Sequence, residues 1–393
     1  MIIVTLLAGV VAAVLLLPTV SDLASLLQLA VGKRAFRPNP PAEAPRLLVL
    51  VPAHDEERMI ESCVRSLLNL RYPAERFKTV VVADNCTDRT AVLARAAGAE
   101  CLERHDLNFP GKPRAIAWAL TLLPLDEFDA LIIIDADTIV DAAFGSALAE
   151  AGPLRERAFQ AYFDVRNPGD SLLTRMATVL ATANYRFAYA LKRRAGLNAP
   201  LLGNGMCLGT EVLATHGWKA FTIAEDWELY ALYTTQGVPI ESLETAHLYA
   251  QEADSFKQST TQRQRWTAGK LTVLARTVRP LLRSRKIGLA QKLDAVAELA
   301  APGPVLHLGI VIGLTALAAV VGPPGAPLMV AAVWASVIRL LTYTVAGVMA
   351  QPHPVRSALA FALLPFYLVW RLGAAIASLK MLGDRPWVRT ARD

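Results

Sequence analysis

The hydrophobic residues of this chain are concentrated at its two ends, and this distribution constrains the fold more than any other feature. Of the 393 residues, 54% are hydrophobic, which is high for a soluble protein of this length. A bilayer-spanning helix needs about 20 apolar residues. We therefore expect membrane helices at both ends, in residues 1–32 and 301–379. The apolar segments behind this prediction are residues 1–17, 23–31, 305–321, 328–350 and 358–379.

The first apolar segment lacks the positive N-terminal region of a cleavable signal peptide, so we interpret it as one transmembrane helix, with an interfacial turn as an option after it. Its basic flank predicts a cytoplasmic C-terminal end. The basic tail, residues 380–393, is predicted to be cytoplasmic too. If the first helix enters the cytoplasm, two further spans return the chain to that side. This favours three spans in total, with residues 358–379 interfacial or re-entrant. The flank consists of Lys33, Arg34 and Arg37, followed by a proline-rich linker with Pro38, Pro40, Pro41 and Pro45.

A net charge of +6 is too small, and too closely tied to the apolar segments, to indicate a nucleic-acid-binding protein. It favours contact with phospholipid headgroups instead. The four cysteines lack metal-ligand spacing and are interpreted as reduced thiols. They are Cys63, Cys86, Cys101 and Cys207.

The middle of the chain alternates between strand and helix patterns. Strands are predicted at residues 47–51, 79–83 and 131–134, and amphipathic helices at 57–70, 89–97 and 113–123. This order predicts an α/β domain over residues 46–250 with an open, mostly parallel sheet. Residues 251–300 are basic and amphipathic, which is typical of helices at a membrane surface. Ligands of such sheets bind beyond the carboxyl ends of the strands.

The third strand ends on two carboxylates, Asp135 and Asp137, separated by Ala136. Carboxylates so spaced can share one hard cation, such as Mg²⁺ or Mn²⁺, with the phosphates of a substrate. The alternative is a solvated turn after a strand. Acids also follow the other two strands, as His54-Asp55-Glu56 and as Asp84. Acids at three strand ends favour a ligand site on that edge.

Two polar positions before the third strand have a binding and a structural interpretation. Asp84 can accept a hydrogen bond from a uracil imide or a ribose hydroxyl, or it can belong to a helix cap. Lys112 begins a helix after Gly111 and can face a phosphate, or it is a solvated charge.

Three later groups are further candidates for ligand contacts. Gly203, Asn204 and Gly205 allow close backbone approach to a ligand, although an ordinary turn explains them equally well. A helical pattern begins with Glu225, Asp226 and Trp227. Acids in the first turn of a helix complement the helix dipole. A carboxylate beside an aromatic ring also suits a general base next to a bound sugar. Helical spacing places Gln262, Arg265 and Trp266 on one face. There Arg265 could bind a diphosphate while Trp266 stacks on a sugar ring. The alternative is an amphipathic helix at the membrane interface.

Taken together and in this order, these motifs resemble glycosyltransferase family 2, in the membrane-bound branch that contains cellulose, chitin and hyaluronan synthases and ceramide glucosyltransferase. The resemblance covers residues 46–276. It implies a GT-A fold, a UDP-sugar donor, Mg²⁺ or Mn²⁺, and inversion at the anomeric carbon. Two departures are Ala224 in place of the usual threonine, and Leu202-Gly203-Asn204-Gly205 in place of an aromatic-Cys-Gly pattern.

The resemblance also implies a role for each matching residue. Asp226 is the expected catalytic base, and Asp135 and Asp137 are the expected metal ligands. Apart from the resemblance, acceptor contacts are expected from Gly203, Asn204, Glu225 and Trp227. Donor contacts are expected from Pro52, Ala53, Asp55, Glu56, Asp84, Lys112, Asp135, Gln262, Arg265 and Trp266.

The expected function is therefore an integral membrane transferase, in a bacterial inner or plasma membrane, with its catalytic domain in the cytoplasm. Its acceptor is expected to be a lipid or a growing polysaccharide. The alternatives are a processive synthase that couples polymerisation to export, and a non-catalytic membrane assembly protein that retains the fold.

Overall fold

The computed structural model describes residues 2–32, 41–253, 255–322 and 325–383. The basic flank at Lys33, Arg34 and Arg37, the prolines Pro38 and Pro40, and the tail from residue 384 onward lie outside the described residues. The cytoplasmic orientation inferred from those basic groups therefore stays a prediction.

One eight-stranded sheet forms the centre of the protein, in the order β3-β2-β1-β4-β7-β6-β8-β5. Strands β3, β2, β1 and β4 are parallel, whereas β7 runs antiparallel to both of its neighbours. The three strands expected from the sequence are β1, β2 and β4, so the prediction of a mostly parallel α/β sheet is confirmed. The strands are β1 Leu47–Ala53, β2 Phe77–Asp84, β3 Glu100–Arg104, β4 Ala130–Ile133, β5 Thr138–Val140, β6 Ala158–Val165, β7 Met206–Gly209 and β8 Ile240–Ala250.

The central strands are apolar on both faces because helices cover both faces of the sheet. Every residue of β1 is buried. Leu48 and Leu50 belong to one core cluster and Val49 and Val51 to another, as expected from the period-two alternation of a strand. Since β1, β2 and β4 are parallel and adjacent, their carboxyl ends meet at one edge.

Helices pack on the sheet and then extend beyond it. The three amphipathic helices expected from the sequence are present as α2, α3 and α4. The helices are α1 Ile2–Ala30, α2 Ile60–Leu68, α3 Thr90–Ala96, α4 Lys112–Ala119, α5 Phe144–Glu150, α6 Leu172–Thr182, α7 Tyr189–Arg194, α8 Thr210–His216, α9 Glu225–Thr235, α10 Phe256–Arg283, α11 Leu289–Ala300, α12 Pro304–Val321, α13 Ala326–Met349, α14 Pro354–Leu359 and α15 Leu364–Ser378. A π-helical segment, Ala183–Ala188, joins α6 to α7, and short 3₁₀ turns lie at Ala74–Arg76, Leu125–Glu127, Ala360–Leu363 and Leu379–Met381.

Four helical segments of the described chain are long and apolar enough to cross a membrane: Thr5–Ala30, Pro304–Val321, Ala326–Met349 and Pro354–Met381. The first two apolar segments form one helix, because α1 continues through Pro18 to Ala30. The last segment is a helix interrupted by a 3₁₀ stretch. The number of true spans stays a prediction.

The outer faces of these helices expose large apolar side chains. Leu7 is 62% exposed, Leu328 76% and Phe366 72%. Large apolar side chains exposed on several long helices are unfavourable in water and fit contact with lipid. The inner faces of α1, α12 and α13 bury a cluster around Leu15 and Val311. Since α15 packs against α12, the four segments form one bundle.

Buried ion pairs tie this bundle to the domain. The Lys192 ammonium, which is 1% exposed, contacts Asp294 Oδ1 at 2.7 Å and Glu298 Oε1 at 2.5 Å. Ser21 of α1 donates a hydrogen bond to the same Asp294 oxygen. Leaving one buried charge without its partner is strongly unfavourable. The network therefore fixes α1 and α11 relative to the sheet domain.

Candidate functional site

A cavity of about 1400 Å³ lies at the edge where the parallel strands end. Its polar half is lined by residues from the β1, β2 and β4 ends and from the starts of α4 and α9. Its other half is an apolar arm between the membrane-type helices, lined by Val10, Val11, Val14, Leu306, Ile310, Leu372 and Ile376. The cavity thus connects charged groups on the sheet edge with the apolar bundle.

The two aspartates after β4 lie in a turn between β4 and β5, and both line the cavity. Asn204 holds this turn: its Oδ1 accepts from Asp135 N at 3.1 Å, and its Nδ2 donates to Thr138 Oγ1 at 2.8 Å. Asn204 is itself 7% exposed. Although it was expected to contact an acceptor, its amide is already committed to positioning the turn.

Lys112 connects three parts of the site. Its Nζ donates to Asp135 Oδ1 at 2.5 Å and to the Gly203 carbonyl at 3.0 Å, and lies 3.7 Å from Glu225 Oε1. Burial alone would lower the pKa of Lys112, but the carboxylates of Asp135 and Glu225 outweigh burial and raise it. Lys112 therefore remains a fixed cation, and the interpretation of a merely solvated lysine is wrong.

Asp226 lies one residue into α9, beside Glu225. Burial raises the pKa of Asp226 to about 7, and the Glu225 charge adds to the effect. A carboxyl group with a pKa near neutrality is suited to accept a proton. Gly203, with φ +83°, leaves room for it, because a Cβ there would meet Asp226 Oδ2 at 3.3 Å.

One face of α10 lines the cavity, as the helical spacing predicted, and includes Gln262, Arg265 and Trp266. Trp266 is 45% exposed, and the Glu225 charge acts on Arg265 across the site. Trp227 also lines the cavity.

Lys270, one turn further along α10, lies over the Trp227 ring at 4.3 Å and donates to the Ala301 carbonyl at 2.9 Å. Burial lowers the pKa of Lys270 to about 8.

Both carboxylate oxygens of Asp84 already accept hydrogen bonds within the protein. Arg104 Nη1 donates to Asp84 Oδ1 at 2.6 Å, and Gly111 N donates to Oδ2 at 3.1 Å. Only 2% of Asp84 is exposed, although it lines the cavity. A nucleoside contact would have to use the lone pairs that these bonds leave.

The first strand end contributes Pro52, Ala53 and Glu56 to the cavity wall, but Asp55 is not among the lining residues. Asp55 has φ +53°, and its Oδ1 accepts from Thr87 N at 2.7 Å. It therefore shapes the adjoining loop.

Asp55, Cys86 and Asp88 form a group whose ligand atoms lie within 4.8 Å of one another. The surroundings do not favour a hard cation there. Burial raises the pKa of the Cys86 thiol to about 11, so the thiol keeps its proton. Asp88 already accepts hydrogen bonds from the Thr90 and Glu57 amides.

Asp135 and Asp137 fit Mg²⁺ or Mn²⁺ better, because they offer only oxygen atoms and face the cavity. Lys112 is bound to Asp135 at 2.5 Å, so an incoming cation would share that carboxylate with the ammonium.

Several site residues were not predicted. Lys270 follows Trp266 by four residues, so extending the α10 face would have found it. Arg371 also lines the cavity, and its signal was a charge inside an apolar segment. No local pattern pointed to Arg104, because its pairing with Asp84 joins two strands.

Comparisons with known proteins agree with this geometry. The model of a family described as "Glycosyltransferase like family 2" matches residues 45–269. "Probable glycosyltransferase YdaM" of Bacillus subtilis is 27% identical over 237 residues, which cover 58% of this chain and 56% of that protein. The β-monoglucosyldiacylglycerol synthase of Nostoc sp. is 27% identical over 195 residues, or 47% of this chain and 40% of that protein. The match therefore spans about half the length of these curated relatives.

Among solved structures, the mannosyltransferase PcManGT from Pyrobaculum calidifontis, in complex with GDP-Man and Mn²⁺, superposes with a TM-score of 0.57. It is 18% identical, and the superposition covers 94% of this chain and 98% of that one. At this identity the likeness shows the fold alone. The GT-A fold expected from the sequence is thus confirmed.

Proposed function

The chain belongs to glycosyltransferase family 2 and is a glycosyltransferase, and from this premise we propose that it moves a sugar from a UDP-sugar to a hydroxyl group of a membrane lipid, with inversion. The observation that carries this proposal is the single cavity that joins Asp226 and the acidic turn to the apolar arm. A nucleotide sugar needs the polar half, and an acyl chain needs the apolar half. We propose further that the catalytic domain faces the cytoplasm, where nucleotide sugars are made.

Donor binding is assigned to the groups around the acidic turn. Lys112 and Arg265 would neutralise diphosphate charge, since ammonium and guanidinium groups bind phosphate oxygens. Trp266 would stack on a sugar or base face. Pro52, Ala53 and Glu56 would border the nucleoside together with Asp84.

Asp135 and Asp137 would hold Mg²⁺ or Mn²⁺ at the diphosphate. When bound, such an ion supplies a Lewis acid that stabilises the charge on the leaving group. Asn204 keeps the turn in place through its bond to Asp135 N.

Asp226 would accept the proton of the acceptor hydroxyl as that oxygen attacks the anomeric carbon. Its pKa of about 7 lies near neutral pH, so a substantial fraction is ionised there and the ionised form is basic enough to take a proton. A single displacement needs no carboxylate nucleophile and inverts the anomeric centre, in contrast to retaining glycosidases.

A lipid is favoured over a growing polysaccharide by the walls of the arm. The arm is lined by Val10 and Val14 of α1, Ile310 of α12 and Leu372 of α15. A hydroxylated glucan chain would find few polar partners among them. One curated relative is named β-monoglucosyldiacylglycerol synthase, which agrees with a lipid as the class of acceptor.

The proposal is tested by Asp226→Asn. This variant should bind UDP with unchanged affinity and release UDP from the donor at least about 100-fold more slowly in the presence of lipid, because it removes the base. Asp126→Asn is the matched control, since Asp126 is exposed on the far end of the domain. Transfer at the wild-type rate by Asp226→Asn would refute the assignment, and mass analysis of the product would identify a glycolipid or a polymer.

A further inference from the structure

The last apolar helix carries one arginine on its inner face. Tyr367 and Ala374 are 6% and 5% exposed and lie on the same side of α15 as Arg371. Phe366 and Val369, on the opposite side, are 72% and 70% exposed. Arg371 therefore faces the cavity. It does not extend outward to the headgroups in the way that arginines near helix ends commonly do.

The Arg371 guanidinium is only partly satisfied. Its Nη2 donates to Thr267 Oγ1 of α10 at 3.0 Å, whereas Nη1 is buried without a hydrogen-bond partner. Within the described ranges Arg371 forms no ion pair. A charged group in such a place is unfavourable unless a counter-charge is supplied, and charges within membrane-type helices commonly mark ligand sites.

A second arginine of the cavity wall, Arg263, is joined to Arg371 through Thr267, whose Oγ1 accepts from Arg371 Nη2 and donates to the Arg263 carbonyl at 2.8 Å. The two positive charges repel each other. Arg263 Nη2 donates to Glu252 Oε1 at 2.6 Å, and Arg263 Nε is buried without a partner. Among the described residues only the Arg263 guanidinium is paired with a carboxylate, so the pair of arginines leaves an excess positive charge on the cavity wall. An anion bound between them would remove both the repulsion and the unsatisfied N–H groups.

The position of this pair indicates where the anion comes from. Along α15 the cavity wall continues from Arg371 to Leu372 and Ile376, which belong to the apolar arm. Before Arg371 in α15, the rings of Tyr367 and Trp370 stack with their centroids 5.2 Å apart, as part of an aromatic cluster with Phe256. Tyr and Trp are enriched at the depth of lipid headgroups. A lipid with its chains in the arm would place its headgroup at the two arginines.

We propose that Arg371 and Arg263 form a subsite for the phosphate of the acceptor lipid, so that the acceptor is a phospholipid with a free hydroxyl rather than a neutral diacylglycerol. The inference rests on the proposed function and names the acceptor class. Guanidinium forks match phosphate oxygens in geometry and charge.

The test compares two lipids that both offer a hydroxyl but differ in the phosphate. Fluorescent phosphatidylglycerol and fluorescent diacylglycerol with identical chains are titrated against the full-length protein in detergent, and UDP binding is measured on the same preparations. The wild type should prefer phosphatidylglycerol by roughly tenfold or more, and Arg371→Gln should lose that preference with unchanged UDP affinity. Arg371→Lys should retain part of it. Arg356→Gln, at an exposed arginine of α14, should match the wild type.

Equal affinity of the wild type for the two lipids would overturn the proposal. So would a loss of UDP affinity in Arg371→Gln with lipid preference intact, since the subsite would then belong to the donor. If Arg371→Gln does not fold, Thr267→Val carries the test, because it removes the hydroxyl that holds Arg371 and should also reduce the preference. An enzyme that selects phosphatidylglycerol but transfers no sugar would refute the proposed function while leaving the subsite supported.

Discussion

Replacing Glu225 by glutamine should move the pH dependence of sugar transfer to lower pH. Asp226 must be ionised to act as a base, so activity is lost as the pH falls through its pKa. Burial raises that pKa from 3.8 to about 7, with Glu225 as the next contribution. The two acids are neighbours in the first turn of α9. Glu225→Gln keeps the shape and the burial but removes the neighbouring negative charge.

The size of the effect follows from these contacts. A like charge beside a carboxyl group disfavours its ionised form and raises its pKa. Lys112, which lies 3.7 Å from Glu225 Oε1, would also act more fully on Asp226 once that carboxylate is gone. Both changes lower the pKa of Asp226. We expect a decrease of about 1, which corresponds to about 1.4 kcal/mol. At pH 6 the variant should then retain about five times the fraction of its maximal rate that the wild type retains.

The assay is kcat/KM for lipid-dependent UDP release, measured from about pH 5.5 to about pH 8.5. Glu211→Gln is the matched control, because Glu211 is exposed and paired with Arg155 at 2.9 Å, away from the cavity. Its profile should coincide with that of the wild type. An acidic limb that stays in place or moves upward in Glu225→Gln would refute the reasoning.

Two further substitutions test the framework of the site. Gly203→Ala should lower kcat by roughly tenfold while the protein stays folded, because its φ of +83° is left-handed and the new Cβ would press on Asp226 Oδ2 at 3.3 Å. Gly169→Ala, where nothing lies within 4 Å, should leave kcat unchanged, and a similar kcat in both variants would contradict the packing argument. Arg104→Met should destabilise the protein by about 3–5 kcal/mol, because it leaves Asp84 buried without its partner, and the loss is measured as a lower Tm. Arg95→Met, which breaks an exposed pair with Glu103, should cost less than about 1 kcal/mol, and equal Tm values in the two variants would show that the buried pair has no special role.

The sequence was most informative where structure follows from neighbouring residues. Strands β1, β2 and β4 are continuous apolar runs, and α2 to α4 repeat at helical spacing, so their local pattern specifies them. The parallel arrangement then requires that the strand ends meet, so the sequence alone predicts that Asp84 and Asp135 lie at one edge. The face of α10 with Gln262 and Arg265 followed in the same way. These positions agree with the structure, although their chemical roles stay predictions.

The partners within the site could not be predicted, because they join residues that are far apart in the chain. Asn204 holds Asp135 N across 69 positions, and Lys112 reaches Gly203 across 91. Such pairs depend on how the sheet and helices pack, and no periodicity records them. Asn204 was therefore interpreted as an acceptor contact, although its amide is bonded to the acidic turn.

By itself the sequence determined the class of the fold, the two apolar ends and the edge at which the acids gather, because these depend on short-range hydrophobic periodicity and on the geometry of parallel strands. Only the tertiary structure decided that Arg371 turns inward beside Arg263 and that the acidic edge opens into an apolar arm. Those features depend on the rotation of α15 and on its packing against α10, which are set by contacts between helices more than 100 residues apart.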